Sequence, residues 1–263
     1  MTIEYKPKTL NVTVKGKVAT IQLNRPESLN SIDAEMIKEL VLCLKEISIS
    51  DDIFIVVLTG NERAFSAGGD LKTMLSQDND ESDFQSIMDN VSELVATMYN
   101  MPMLTISAVS GAAAGLGLSL ALATDYIIAD ENSKLAMNFI GVGLIPDGGA
   151  HFFLERKLGE DKAKQLIWEG KMMKASEAYE MNLVHELTTN YKEALDAKLE
   201  EWLNKPIQAM IKTKKILAEK NRPQLLKILE LEKHGQLKMR ETKDHREGVN
   251  AFIEKRKPKF IGE

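Results

Sequence analysis

The sequence is poor in the residues that build covalent or metal-held sites. Cys43 is the one cysteine among 263 residues, so an internal disulfide is impossible. Its place in Leu40-Val41-Leu42-Cys43-Leu44 predicts a buried structural thiol on a helix. The four histidines, His151, His185, His234 and His245, are far apart and have no ligand spacing, so no metal site is expected. Long apolar runs are also missing. The longest, around Leu116 to Ala123, falls far short of the roughly 20 residues that cross a bilayer, and no signal-type stretch opens the chain. The expectation is a cytoplasmic protein without membrane insertion. There is no overall excess of positive charge: the net charge of −5 argues against a nucleic-acid partner. The charge is unevenly spread, however. Residues 205–263 hold 16 Lys or Arg against 8 Asp or Glu. That surplus fits a solvated helical surface, or attraction for a phosphate-bearing ligand or an acidic partner.

What is present is a globular composition, 44% hydrophobic and 28% charged. The length suffices for one large core, or a core with an appendage. Alternation over 10–14 and 17–23 predicts a hairpin turning at Lys15-Gly16. Asp33 is a good N-cap for a helix to about residue 49. Residues 53–59 and 103–109 read as strands buried on both faces. Between them lie a polar loop at 77–82 and helical spacing from 84 to 100. A helix is expected over 116–125, short strands over 126–129 and 135–137, and a helix opening at Gly149 or Ala150. Beyond Gly159 the pattern is mostly helical: 160–169, 176–181 and 192–204. Pro206 and Pro223 each start a further helix, and Asp244 caps a last one through Lys255. Trp168 and Trp202 read as packing residues of this helical region. His151 reads as a helix-surface residue.

Two loops carry the chemistry. Gly68-Gly69-Asp70 follows a buried strand, and adjacent glycines let the backbone approach a ligand closely. The run Gly111-Ala112-Ala113-Ala114-Gly115-Leu116-Gly117 leads directly into a helix, whose first N–H groups are unpaired and favour negative charge. Two such donors converging on one oxygen would stabilise an enolate. Neither loop is a nucleotide-binding fingerprint: Gly115-Leu116-Gly117-Leu118-Ser119-Leu120 lacks the third glycine, and no Gly-Lys-Ser/Thr follows.

Together the segments resemble the crotonase superfamily, the enoyl-CoA hydratase/isomerase family. The resemblance covers nearly the whole chain. Its landmarks are Asn24-Arg25-Pro26 with Leu29-Asn30, Ala64-Phe65-Ser66-Ala67-Gly68-Gly69-Asp70-Leu71, Gly111 to Asp125, Gly143-Leu144-Ile145-Pro146-Asp147-Gly148-Gly149, and the ending from Glu247-Gly248 to Lys259-Phe260. It implies an α/β, crotonase-like (ClpP/crotonase) spiral of ββα units over residues 1–190. A helical C-terminal region, 191–263, would serve trimerisation, giving a homo-trimer or dimer of trimers. The substrate it implies is an acyl-CoA thioester, with coenzyme A as part of the substrate and no prosthetic group. By position, the Gly69 and Leu116 N–H groups would form the oxyanion hole. Ala67, Asp70 and Leu71 would lie along the coenzyme, Ala67 and Leu71 beside the adenine. Arg25 and Lys72 are candidates for its phosphates. The Lys259-Phe260 end would reach a neighbouring subunit's coenzyme site. The apolar Phe139 would wall the acyl group; Met88 and Met98 read first as core residues, while Met74, Phe84, Met88 and Met98 also suit a flexible acyl chain.

The departures from the family pattern narrow the reaction. Typical hydratases of the family carry two glutamates, one at the position of Ser119 and one at that of Phe139. Neither acid exists here, and Asp125, Asp130 and Glu131 fall at or past the far end of the helix. Asp147 is the remaining proton-transferring group, in a setting that several double-bond-shifting members use. An aspartate between proline and glycine also serves simply as a turn residue. One carboxylate suffices to take a proton from C2 of a 3-enoyl thioester and return it at C4. Hydration, which divides its work between two acids, is the weaker alternative. Other acyl-CoA chemistry, including nucleophilic attack by Asp147, and a non-catalytic CoA-binding or structural role complete the set.

Overall fold

The computed structural model describes residues 7–71 and 81–263. Lys72, Met74 and most of the loop expected at 77–82 lie outside the described residues. β1 (Leu10–Lys15) and β2 (Val18–Leu23) form the expected antiparallel hairpin. β3 (Ile55–Thr59), β5 (Leu104–Val109), β7 (Tyr126–Asp130) and β10 (Glu186–Thr188) extend it in parallel, giving the order β1-β2-β3-β5-β7-β10. Strands buried on both faces send alternate side chains to two cores. Val56 and Leu58 face a large cluster shared with Met36, Leu40 and Leu44 of α1 (Ala34–Ser48) and Leu94 and Val95 of α2 (Glu81–Asn100). Ile55 and Val57 face a smaller cluster closed by Trp202 of α7 (Tyr191–Leu203) and Ile207 and Ile211 of α8 (Ile207–Arg240).

Three inner strands of the first sheet each feed a short strand of a second. β4 (Ala64–Ser66) follows β3, β6 (Ala112–Ala114) follows β5, and β8 (Lys134–Ala136) follows β7; β9 (Met172–Lys174) completes the order β4-β6-β8-β9. A helix then returns the chain: α2 after β4, and α3 (Leu116–Leu122) after β6. This repetition builds the ββα spiral of an α/β crotonase-like fold. The 3₁₀ turn Asn138–Val142 follows β8, and then come α4 (Ala150–Leu158), α5 (Glu160–Glu169) and α6 (Ala175–Glu180). After β10 the described chain is helical: α7, α8 and α9 (Lys243–Ile253).

Four expectations are corrected. Pro223 does not start a helix; it lies inside the 34-residue α8. That helix continues through it because Ala218, Leu225 and Leu229 on either side are buried, and packing outweighs local propensity. The cap of α9 is Thr242, whose hydroxyl accepts the His245 N–H; Asp244 instead accepts the Ile261 and Gly262 N–H groups of the returning tail. Trp202 packs, but Trp168 is 66% exposed at the end of α5. The helix expected over 116–125 stops at Leu122, since Asp125 turns back to accept the Thr105 N–H.

Candidate functional site

The first loop is set by Asn30. Its side-chain amide donates to the Ala64 and Phe65 carbonyls, while the buried Ser66 hydroxyl donates to the Asn30 carbonyl and accepts the Gly68 N–H. Leu29 and Asn30 are both left-handed, at φ 54°, a conformation Asn tolerates better than most residues. Residues 68–70 then form a one-residue parallel bridge with Ile32. Ile32 N–H donates to the Gly68 carbonyl and Asp70 N–H to the Ile32 carbonyl. That pattern uses the groups on either side of Gly69 and turns its own N–H the other way. Gly68 is held at φ 96°, and a Cβ there would sit 2.8 Å from the Ala114 carbonyl oxygen. Only glycine permits this approach of the two loops.

The second loop begins α3. Gly115 is its N-cap, and Leu116 is its first residue, so the Leu116 N–H has no helical acceptor. Among the described residues neither Gly69 nor Leu116 donates a backbone hydrogen bond. Both line one cavity of about 440 Å³, together with Asp147, Phe139, Met88 and Gln236.

Asp147 is 6% exposed. Gln236 Nε2 of α8 donates to its Oδ2 at 3.1 Å and to the Ile145 carbonyl at 2.7 Å. Asp147 Oδ1 and Gln236 Oε1 are buried without a partner. Burial, and then the nearby Glu232 charge, push the Asp147 carboxyl up from 3.8 to about 8; the Gln236 hydrogen bond opposes them. Glu232 is itself buried and braces the same loop. Its carboxylate accepts the Gly149 N–H at 2.7 Å and the His151 N–H at 3.1 Å, and it pairs with His151 Nδ1 at 2.8 Å. In effect a side chain of α8 caps the start of α4.

The structure brings Asp147, Gly69, Leu116, Ala67, Leu71 and Phe139 to this cavity. Phe84 and Met88 line it too, whereas Met98 packs in the core. Arg25 and Asp70 are placed apart from the lining. Arg25 Nη1 pairs with Asp70 at 3.1 Å and Asp33 at 3.2 Å and donates to the Ser31 carbonyl at 2.6 Å, which ties the loops together. Lys259 lies in a separate surface hollow with Lys243, Asp244, Glu247, Arg256 and Lys257. Phe260 is exposed on the same tail, while Phe252 of α9 reaches the main cavity. Ser119 is fully buried, its Oγ 3.3 Å from the Gly115 carbonyl oxygen that accepts its hydrogen bond.

Gln236 and Glu232 escape a reading by sequence motif, since they lie about 90 residues from the loop they hold. A signal does exist. Leu225, Leu229, Glu232 and Gln236 share the buried stripe of α8, and polar residues at apolar stripe positions ask for a buried polar partner.

The family model described as "Enoyl-CoA hydratase/isomerase" matches residues 13–263. The chain is 45% identical to the "Putative enoyl-CoA hydratase/isomerase YhaR" of Bacillus subtilis (strain 168), over 93% of this chain and 96% of that one. It is 34% identical to the 1,2-epoxyphenylacetyl-CoA isomerase of Escherichia coli (strain K12), over 95% and 97%. Its fold superposes on the crystal structure of an enoyl-CoA hydratase from Mycobacterium avium subsp. paratuberculosis K-10 with a TM-score of 0.89. That match has 28% identity and covers 97% of this chain and 100% of that one. A family match over all but the first residues, carried on this spiral fold, makes the chain a member of the enoyl-CoA hydratase/isomerase family.

Proposed function

We propose that this family member shifts a double bond, converting a 3-enoyl-CoA to its 2-enoyl isomer with Asp147 as the sole acid and base. One observation carries the reading: among the described residues Asp147 is the only carboxylate lining the cavity, and its buried Oδ1 has no hydrogen-bond partner. The thioester oxygen would lie between the Gly69 and Leu116 N–H groups, which stabilise the charge that develops when C2 loses its proton. The carboxylate takes that proton, the electrons delocalise over the dienolate, and the same oxygen returns the proton at C4. No water is consumed and no second acid is needed. Phe139, at the position where the resemblance sets a second acid, lines the cavity, and Ser119 is sealed inside the protein beside Gly148. The coenzyme would run past Ala67 and Leu71, and the helical region 191–263 would serve assembly into trimers.

A matched pair of substrates tests this. Purified protein is given a 3-enoyl-CoA and its 2-enoyl isomer, and products are resolved by chromatography and mass. Interconversion at constant mass, lost in Asp147→Asn, is the expected result. Gain of one water from the 2-enoyl substrate would replace this reading with single-carboxylate hydration. Binding of coenzyme without turnover of either isomer would replace it with a non-catalytic role.

A further inference from the structure

Helix α8 meets the Ile145–Gly149 segment along one face, at residues 232, 235 and 236. Glu232 accepts the Gly149 N–H. Gly235 presents so little bulk that a Cβ there would fall 2.3 Å from Ile145 Cδ1, so the helix lies directly against the loop. Gln236 spends both amide hydrogens on that loop, one on the Ile145 carbonyl and one on Asp147 Oδ2. The amide is 1% exposed. Fixed at the Ile145 end, it cannot turn away from the carboxyl without breaking both bonds. With Oδ2 held, rotation of the Asp147 carboxyl is blocked, and Oδ1 is the oxygen left without a partner.

We infer that Gln236 is a positioning residue for the proposed isomerisation: it locks the Asp147 carboxyl in one orientation and presents a single oxygen, Oδ1, to the acyl group. The inference rests on Asp147 being the acid and base. It adds a division of labour between the two oxygens and a role for α8, a helix far along the chain. A donor on Oδ2 also favours the charged carboxylate. The groups around the carboxyl act in opposite senses. Glu232, from the same helix, opposes ionisation, Gln236 supports it, and His151 is paired to Glu232.

The test uses Gln236→Met, which keeps the length and bulk of the side chain and removes both hydrogen bonds. Gln236→Asn keeps an amide but withdraws it by one methylene. Folding is checked by thermal melting. Two readouts follow. In the first, pH profiles of kcat and KM are measured on the 3-enoyl-CoA. Gln236→Met should lower kcat roughly 10- to 100-fold, the scale of a misplaced catalytic group, with KM nearly unchanged. Its rising limb should move up by about one pH unit, and Gln236→Asn should shift it in the same direction. In the second, the Asp147 carboxyl is titrated by carbon NMR in protein labelled at aspartate, the signal being assigned by its loss in Asp147→Asn. This readout needs no turnover, so it stands even if the isomerase reading fails. An upward move of the Asp147 titration in either folded variant supports the inference. An unchanged titration, or a raised KM at unchanged kcat, overturns it.

Discussion

At the scale of the residue, Asp147 carries its proton at neutral pH because the fold withdraws it from water beside a second buried acid. The carboxylate that the proposed isomerisation requires therefore increases with pH, and kcat/KM for double-bond migration should rise through about pH 8. Asp147→Asn should lower kcat by at least about 100-fold. The same shift has a consequence for stability. Between pH 3.8 and about 8 the folded chain holds a proton that the unfolded chain has released. The stabilisation from this group is complete below 3.8, declines as pH rises, and is gone once pH passes about 8. Asparagine stays neutral throughout. The melting temperature of Asp147→Asn should thus exceed that of the wild type by more at pH 9 than at pH 5, as differential scanning calorimetry would show. Asp147 was legible as a site candidate because proline and two glycines flank it. Its partners were not, since hydrogen bonds across about 90 residues leave no local spacing to read.

At the scale of the element, α8 is both a wall of the core and the back of the cavity. Glu232→Ala strips a buried acceptor from the Gly149 and His151 N–H groups and should cost about 1.5–3 kcal/mol by chemical denaturation, the range for hydrogen bonds to charged groups. Glu232→Gln keeps an acceptor oxygen but removes the charge, so the rising limb of kcat/KM should move below 8, opposite to the shift expected on losing Gln236. The longer elements were readable from sequence: the hairpin, α1 with its Asp33 cap, β3, β5 and α5 all lie within about two residues of their expected positions. The short strands β4, β6, β9 and β10 were not. Each has three residues, too few to show alternation, and Ala112-Ala113-Ala114 has no β-forming side chain at all. These strands exist because β3, β5 and β7 carry the chain to a second sheet. Pro223 misled for the converse reason: it is a strong local signal, overridden by burial on both sides of it.

At the scale of the whole molecule, acids elsewhere in space meet part of the basic surplus of the last 59 residues, and acids of the same segment pair with others of its bases. Lys214 pairs with Asp125, Lys233 with Asp89 and Glu230, Arg256 with Glu247 and Glu254, and Lys243 with Glu263. This end also exposes apolar side chains: Phe252, Ile253, Phe260 and Ile261 are 44–65% exposed. A cluster of that kind suits an interface between copies. On the proposed assembly into trimers, sedimentation equilibrium should return a mass of three or six times 29.4 kDa. Charged substitutions at Phe252 and Ile261 together should shift that mass towards the single chain. Among the described residues no helix is long and apolar enough to cross a membrane.

The near-complete enclosure of Asp147 has a further consequence, one that concerns the history of an atom. A proton held on an oxygen that bulk water scarcely touches is returned sooner than it is exchanged. If a 3-enoyl-CoA carries deuterium at C2, much of that label should reappear at C4 of the product, even in ordinary water. With the reaction run in heavy water and an unlabelled substrate, early product should contain little deuterium at C4. The isotope pattern at a single carbon, read by mass spectrometry and proton NMR, would therefore report how well the fold isolates one carboxyl group from solvent.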